Sequence, residues 1–164
     1  VVVSAVTCDM KEARIVIKGV PDTPGIAASV FTPLADEGIV VDMIIQGSSG
    51  DTDLANLSFT VPRPDCQSAI RILEEIKAEW NDLEISSDEN IAKVSVIGVG
   101  MRHHAGVAAR MFQVLANENI NIHMISTSEI KVSCVIEDRY TAKAVQILHD
   151  AFELDKPLQH EIPE

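Results

Sequence analysis

The sequence predicts an α+β protein built twice from one β-α-β-β-α-β unit, each an antiparallel sheet with both helices on one face. Three observations lead there. The segment GIAASVFTPLADEGIVVDMIIQ (25–46) recurs as GVAARMFQVLANENINIHMIST (106–127). At one constant offset it preserves Gly25/Gly106, Ala27/Ala108, Ala28/Ala109, Phe31/Phe112, Leu34/Leu115, Ala35/Ala116, Ile39/Ile120, Met43/Met124 and Ile44/Ile125. Upstream, ARIVIKGV (13–20) matches AKVSVIGV (92–99) at an offset two residues shorter, so the strand-to-helix loop is longer in the second copy. A repeat of this size means two copies of one structural unit. The third observation is that each copy alternates strand-period and helix-period patterns in the same order.

The elements follow in turn. Ile15, Val16 and Ile17 form a short apolar strand. VPDTPG then opens a helix, with Thr23 as its N-cap and Pro24 at the first helical position, where a missing N–H is harmless. The helix face is Ile26, Val30, Phe31 and Leu34, answered by Val107, Met111, Phe112 and Leu115. Pro33 should kink the first of these helices or cost it a hydrogen bond, and Gly38 ends it. Residues 39–46 read as a second strand and SSGD as a turn. Leu57, Phe59 and Val61 alternate with Ser58 and Thr60, and Ile130, Val132, Cys134 and Ile136 alternate with polar neighbours in the second copy. PRPD opens a second helix with apolar positions Cys66, Ala69, Ile70, Leu73, Ile76 and Trp80, and RYTAKAVQILHDAF repeats it. LEIS (83–86) is a fourth strand. The order is that of the ferredoxin-like split unit, which leaves one sheet face in need of cover by another sheet or a partner chain. The first unit is placed at 14–88 and the second at 89–164. The second copy has no clear last strand, and the N-terminal strand 1–8 can complete it; which unit owns that strand is open at this stage.

Composition narrows the function classes. The 164 residues are 46% hydrophobic, enough for a core, and with one Trp, one Tyr and four Phe that core is aliphatic. A net charge of −12 argues against nucleic acid or an anionic membrane surface as partner. No apolar run is long enough for a membrane span, VVVSAV lacks the basic start of a signal peptide, and the missing initiator Met suggests a longer natural polypeptide. Cys8, Cys66 and Cys134 form neither a disulfide framework nor a zinc knuckle, which fits a reduced, cytoplasmic setting. His103, His104 and His123 lack acidic or Cys partners at ligand spacing, so no metal site is expected. No P-loop and no Ser–His or Cys–His arrangement is visible, so no catalytic residue and no cofactor is assigned.

The first strand-to-helix loop carries the binding chemistry. A helix N-terminus has unpaired N–H groups and a positive dipole end, and a glycine lets an anion come close. A carboxylate can rest on the amides of Gly25, Ile26 and Ala27, while Asp22 holds an ammonium group. That pairing suits a zwitterion, a free amino acid, with Gln46 and Asn121 available for side-chain selectivity. The same D-x-P-G string also serves as ordinary capping chemistry.

The β-α-β-β-α-β unit with its D-x-P-G loop resembles the ACT domain, an amino-acid-binding regulatory module. The strings KGVPDTPGIAASVF, VDMIIQ, KVSVIGVGM and NINIHMISTSEIKVS resemble the paired ACT domains of the aspartate kinase family, over nearly the whole chain and without any of the kinase part. The resemblance implies an allosteric regulatory subunit or domain. It has no chemistry of its own and mediates feedback inhibition by threonine, lysine or both in aspartate-family amino-acid biosynthesis, with ATP and Mg confined to the kinase part. It implies a homodimer that sandwiches effector between the first ACT of one chain and the second ACT of its partner. Effector contacts would be Asp22, Thr23, Pro24, Gly25, Ile26, Ala27 and Gln46, with Asn121 and Ile122 from across the interface. The second loop, GVGMRHHAG, departs from the pattern: His103 stands where Asp22 does, and the proline is gone. A second effector site, linked in the family to lysine, would comprise Met101, His104, Ala105, Gly106, Val107, Thr127, Ser128 and Glu129, with Glu129 facing a cation. Two other readings are a stand-alone tandem ACT protein serving a different enzyme or regulator, and a small enzyme using the bare sheet face. The TSEIK and MIIQ strings disfavour the former, and the lack of paired catalytic groups disfavours the latter.

Overall fold

The computed structural model describes residues 3–50, 53–80, 83–100 and 105–154. In chain order the elements are β1 (Val3–Asp9), β2 (Glu12–Pro21), α1 (Ile26–Asp36), β3 (Ile44–Ser48), β4 (Leu54–Pro62), a 3-10 turn (Arg63–Asp65) and α2 (Cys66–Lys77). Then come β5 (Glu84–Asp88), β6 (Ile91–Gly98), α3 (Ala105–Asn117), β7 (Met124–Thr127), β8 (Lys131–Glu137), a second 3-10 turn (Asp138–Tyr140) and α4 (Thr141–Ala151). The chain divides into two compact units. One is Lys11–Ile91, and the other joins the chain before Lys11 to the chain after Ile91.

In the first unit the antiparallel sheet runs β3-β4-β2-β5, the strand order of the split βαβ unit. β2 buries Ala13, Ile15 and Ile17, then Val20. The alternation slips by one because Gly19, at φ 84°, is the extra residue of a β-bulge between Lys18 and Val20. β4 buries Ala55, Leu57, Phe59 and Val61 beside it, and α1 and α2 add Val30, Leu34, Cys66, Ala69 and Leu73 to the same cluster. Phe31 meets Phe59 edge to face at 5.1 Å.

The other unit runs β1-β6-β8-β7. β1 therefore sits where β5 sits in the first unit, paired antiparallel with β6 from Ala5↔Ile97 to Asp9↔Lys93. Its core is Ala92, Val94, Val96, Met111, Leu115, Val132, Cys134, Ile136, Ala144 and Leu148. β8 is buried on both faces, since Ser133 and Val135 are as covered as Val132, Cys134 and Ile136. Ser133 and the buried Ser95 of β6 satisfy each other at 2.7 Å.

Several local expectations are corrected. Thr23 is not the N-cap: α1 starts at Ile26, and its cap is Gly25, at φ 90° with no side-chain cap bond. The Thr23 carbonyl instead accepts the Ile26 N–H at 3.3 Å, so Pro24 and Gly25 form a turn before the helix. The strand expected over 39–46 pairs only from Ile44, because Thr60 takes the Met43 amide on its hydroxyl (3.2 Å) and bonds through its backbone to Asp42 and Met43. Pro33 is accommodated inside an unbroken α1. Ile130 lies in the turn before β8 and is 58% exposed, outside the buried alternation. Trp80 lies beyond α2, half-buried against the first core.

Three helices end alike. Gly38, Asn119 and Glu153 adopt φ of 73°, 60° and 59°. The residue after each donates to the carbonyl five back: Ile39 to Leu34, Ile120 to Leu115 and Leu154 to His149, at 3.0, 3.0 and 2.9 Å. This Schellman closure turns the chain back over the helix that it leaves.

Leu34 and Leu115 combine full burial with the accepting carbonyl of this closure. Each Leu→Ala substitution is expected to destabilise by about 2–5 kcal/mol. In urea unfolding the midpoint should fall with little change in slope. The cysteines give a second prediction. Burial pushes the Cys134 thiol up to about 12 and raises that of Cys66, while Cys8 is exposed. Cys8 should react first with a thiol reagent, and the other two only on unfolding. An unfolded thiol ionises near 8.5. Burial of Cys134 thus contributes stability that is fully present below that pH and is lost as pH rises toward about 12. A Cys134→Ala variant should show a flatter fall in stability over that range.

Candidate functional site

The β2–α1 connection is built by its neighbours. The Gly19 N–H donates to Asn56 Oδ1 at 3.3 Å, fixing the bulge that aims the end of β2. The Asp22 N–H donates to the Asp53 carbonyl at 2.8 Å, which ties the loop to the start of β4 and puts two acidic residues side by side. Asp22, Thr23, Pro24 and Gly25 are all exposed. A Cβ added at Gly25 would meet no atom within 4 Å, so the backbone there is open to an approaching group. The side chain of Ile26 is buried and that of Ala27 half-buried. The Ile26 amide is engaged by Thr23, while helix geometry leaves those of Ala27 and Ala28 without an intrahelical acceptor. The loop thus offers carboxylates beside helix-start amides, a pairing of opposite polarities fit for an ammonium and a carboxylate of one small molecule.

Gln46 is exposed on the edge strand β3, opposite Leu57, with β4 standing between it and β2. Asn121 and Ile122 belong to the other unit, in the segment that leads into β7. The first set of candidate residues is therefore split, with Asp22–Ala27 and Gln46 in one unit and Asn121 and Ile122 in the other.

Of the second set, Met101 and His104 lie outside the described residues, as does His103. Ala105, Gly106 and Val107 make the first turn of α3. The repeat is not copied faithfully here, because Gly25 precedes α1 whereas Gly106 is already inside α3. Thr127 ends β7, and Ser128 and Glu129 form the turn to β8, closed by the Ser128 N–H on the Lys131 carbonyl at 2.8 Å. The Gly98 N–H, at the end of β6, donates to the Ile130 carbonyl at 2.8 Å. That bond brings the 127–129 turn to the end of the sheet where the chain leaves for α3. Among the described residues no group of three metal-ligating side chains converges, and no helix is long and apolar enough to cross a membrane. His123 buries its Nε2 without a hydrogen-bond partner among the described residues.

Sequence reasoning missed Gly19, Asn56 and Asp53. Glycine inside a strand pattern was the available signal for the bulge. Asn56 and Asp53 reach the loop only through pairing with β2, which no local pattern encodes.

The chain matches two ACT-domain family models, one over residues 13–81 and one over 94–152. It is 52% identical over 156 residues to an aspartate kinase of Stutzerimonas stutzeri, a match covering 95% of this chain and 38% of that protein. The chain thus spans well under half the length of the curated relatives that it matches. Among solved structures, the ligand-free regulatory subunit of aspartate kinase from Thermus thermophilus superposes with a TM-score of 0.87 at 43% identity, covering 93% of this chain and 99% of that one. A structure of aspartokinase alpha and beta subunits gives a TM-score of 0.84 at 45% identity, covering 92% of this chain and 99% of that one. With a regulatory subunit matched almost end to end, the chain belongs to the ACT-domain family, in the group formed by the regulatory subunits and regulatory domains of aspartate kinases.

Proposed function

We propose that this chain is the amino-acid sensor of an aspartate kinase, a cytoplasmic enzyme that phosphorylates the side-chain carboxylate of aspartate with ATP in aspartate-family amino-acid biosynthesis. The chain mediates feedback inhibition by threonine, lysine or both. The observation that carries the reading is the β2–α1 loop, where an exposed Asp22, bonded through its backbone to Asp53, precedes an uncrowded, left-handed Gly25 at the helix start. Asp22 takes the effector's ammonium, and the amides after Gly25 take its carboxylate. Thr23, Pro24, Ile26 and Ala27 shape the loop, and Gln46 reads the effector side chain. Asn121 and Ile122 come from a partner chain in a homodimer. The turn Thr127–Glu129 with the start of α3 forms a second effector site for a cationic side chain, with Glu129 as its counter-charge. The catalytic part of the kinase is the further partner, and it alone holds ATP and Mg.

The dimer reading has support of its own. β3 and β7 are both edge strands, and they expose Ile44 (53%) and its repeat mate Ile125 (41%). An exposed apolar edge is a template for pairing with another chain. An effector held between two chains shifts the kinase only by its difference in affinity for the two dimer arrangements.

Calorimetric titration tests the ligand. Wild type should bind threonine or lysine, and Asp22→Ala should lose about 10–100-fold in affinity, the range of a hydrogen bond to a charged group. No binding to a folded dimer, or an unaffected variant, overturns the loop assignment. For assembly, Ile44→Lys and Ile125→Lys should each shift the chain toward monomer in sedimentation analysis while leaving its circular dichroism unchanged.

A further inference from the structure

β2 and β4 change register once. One register holds up to Lys18↔Asn56, and the next holds from Val20↔Ala55 through Pro21↔Leu54. Gly19, at φ 84°, is the residue left over, with no β4 residue opposite it. Its N–H is taken by a side chain, Asn56 Oδ1 at 3.3 Å, so the bulge leaves no orphaned donor at Gly19.

The shifted register runs on past the end of β2. Asp22 is next in line, and its N–H donates to the Asp53 carbonyl at 2.8 Å. Without the bulge, the register of Lys18↔Asn56 would bring Pro21 to Asp53, and proline has no N–H to give. A slip of one residue also turns every later side chain to the other face. Val20 records that turn, since it is fully buried in the core that α1 and α2 cover. Its repeat mate Val99, just past β6, is 82% exposed.

The second copy meets the same need with different atoms. Gly98 stands where Gly19 does, and Ile125↔Cys134 matches Ile44↔Phe59, which puts Lys131 where Asn56 stands. An ammonium group cannot accept a hydrogen bond. The Gly98 N–H goes instead to the Ile130 backbone carbonyl at 2.8 Å. The first loop thus depends on a side chain where the second uses main chain.

We propose that Asn56 is a positioning residue for the effector loop. By holding the bulge at Gly19, it sets the register that joins Asp22 to Asp53 and stands Asp22 on the α1 side of β2, without itself touching the effector. This role deepens the sensing function proposed above and rests on it for the ligand alone.

Hydrogen–deuterium exchange on the full chain, without ligand, is the first test. In Asn56→Ala, peptides spanning 19–25 should exchange roughly 5–10-fold faster, the scale of one net hydrogen bond. Peptides of α2 and of β8 should not change. Asn56→Asp keeps an oxygen acceptor at the same place and should exchange like wild type. Asn56→Leu keeps the volume without the acceptor; it should behave like the alanine variant and replaces it should that one not fold. Calorimetric titration with threonine and with lysine is the second test. Whichever amino acid binds wild type should bind Asn56→Ala about 3–10-fold more weakly, and Asn56→Asp should restore the affinity. Unchanged exchange at 19–25, acceleration spread evenly over the unit, no rescue by aspartate, or an affinity that the alanine variant leaves intact each overturns the proposal. A wild type that binds neither amino acid overturns the sensing function instead, and exchange alone then decides the role of Asn56.

Discussion

β2 and β4 are hydrogen-bonded from Glu12↔Pro62 to Pro21↔Leu54, and the rest of the first unit depends on that ladder. It is the centre of the sheet, with β3 added on one side and β5 on the other. Its inward side chains, Ile15, Ile17, Leu57 and Phe59, are the floor on which α1 and α2 rest. Its two ends carry the two special features of the unit. At one end Gly19, Asn56, Asp22 and Asp53 fix the loop in front of α1. At the other, β4 runs into Pro62 and the 3-10 turn, where the Arg63 N–H donates to the Lys11 carbonyl at 2.7 Å. One interior ladder thus sets the geometry of a loop and of a turn at opposite ends of the same strands. The bulge at Gly19 lets both be satisfied, by absorbing one residue without disturbing the pairing on either side.

The second unit solves the same problem with different residues. β8 is buried on both faces and Ser95 of β6 is buried beside it, so the polar pair Ser95 and Ser133 must satisfy itself, and it does so at 2.7 Å. Where the first copy uses Gly38 for the left-handed residue after its helix, the second uses Asn119, the side chain that tolerates that conformation best after glycine. The helix start is where the copies diverge. Gly25 is a left-handed cap outside α1, and Gly106 is a helical residue of α3. Sequence identity at a repeat position therefore does not carry the same backbone role, and the two loops are different chemical objects even before their acidic and imidazole residues are compared.

The sequence made the repeat, the element order and most core positions legible, because these rest on local periodicity. Leu34, Leu57, Phe59, Leu73 and Leu115 needed nothing beyond spacing to be placed inside. What failed depends on partners distant in sequence. The start of β3 moved to Ile44 because the hydroxyl of Thr60, on another strand, captures the Met43 amide. Thr23 lost the cap because Gly25 takes a left-handed conformation that no hydrophobic pattern reports. Of the candidate site, the loop was legible from D-x-P-G, whereas Asp53 and Asn56 were not.

A sensor made of two such units has to convert binding at a loop into something felt elsewhere, and the fold limits how. The helix-facing sides of both sheets are close-packed, with Ile15, Leu57, Phe59, Val94 and Cys134 all fully buried. Packed interiors of this kind do not deform gradually, so a bound molecule acts by choosing between arrangements rather than by bending one. On the sensing role proposed above, the pieces free to be chosen between are the exposed loop at Asp22–Gly25 and the edge strands β3 and β7. Each edge strand pairs on one side alone, β3 with β4 and β7 with β8. The loop is tied to the start of β4 by the Asp22–Asp53 bond. Such lightly held segments supply the low-energy alternatives that regulation needs, and the rigid ladder between them keeps the alternatives few.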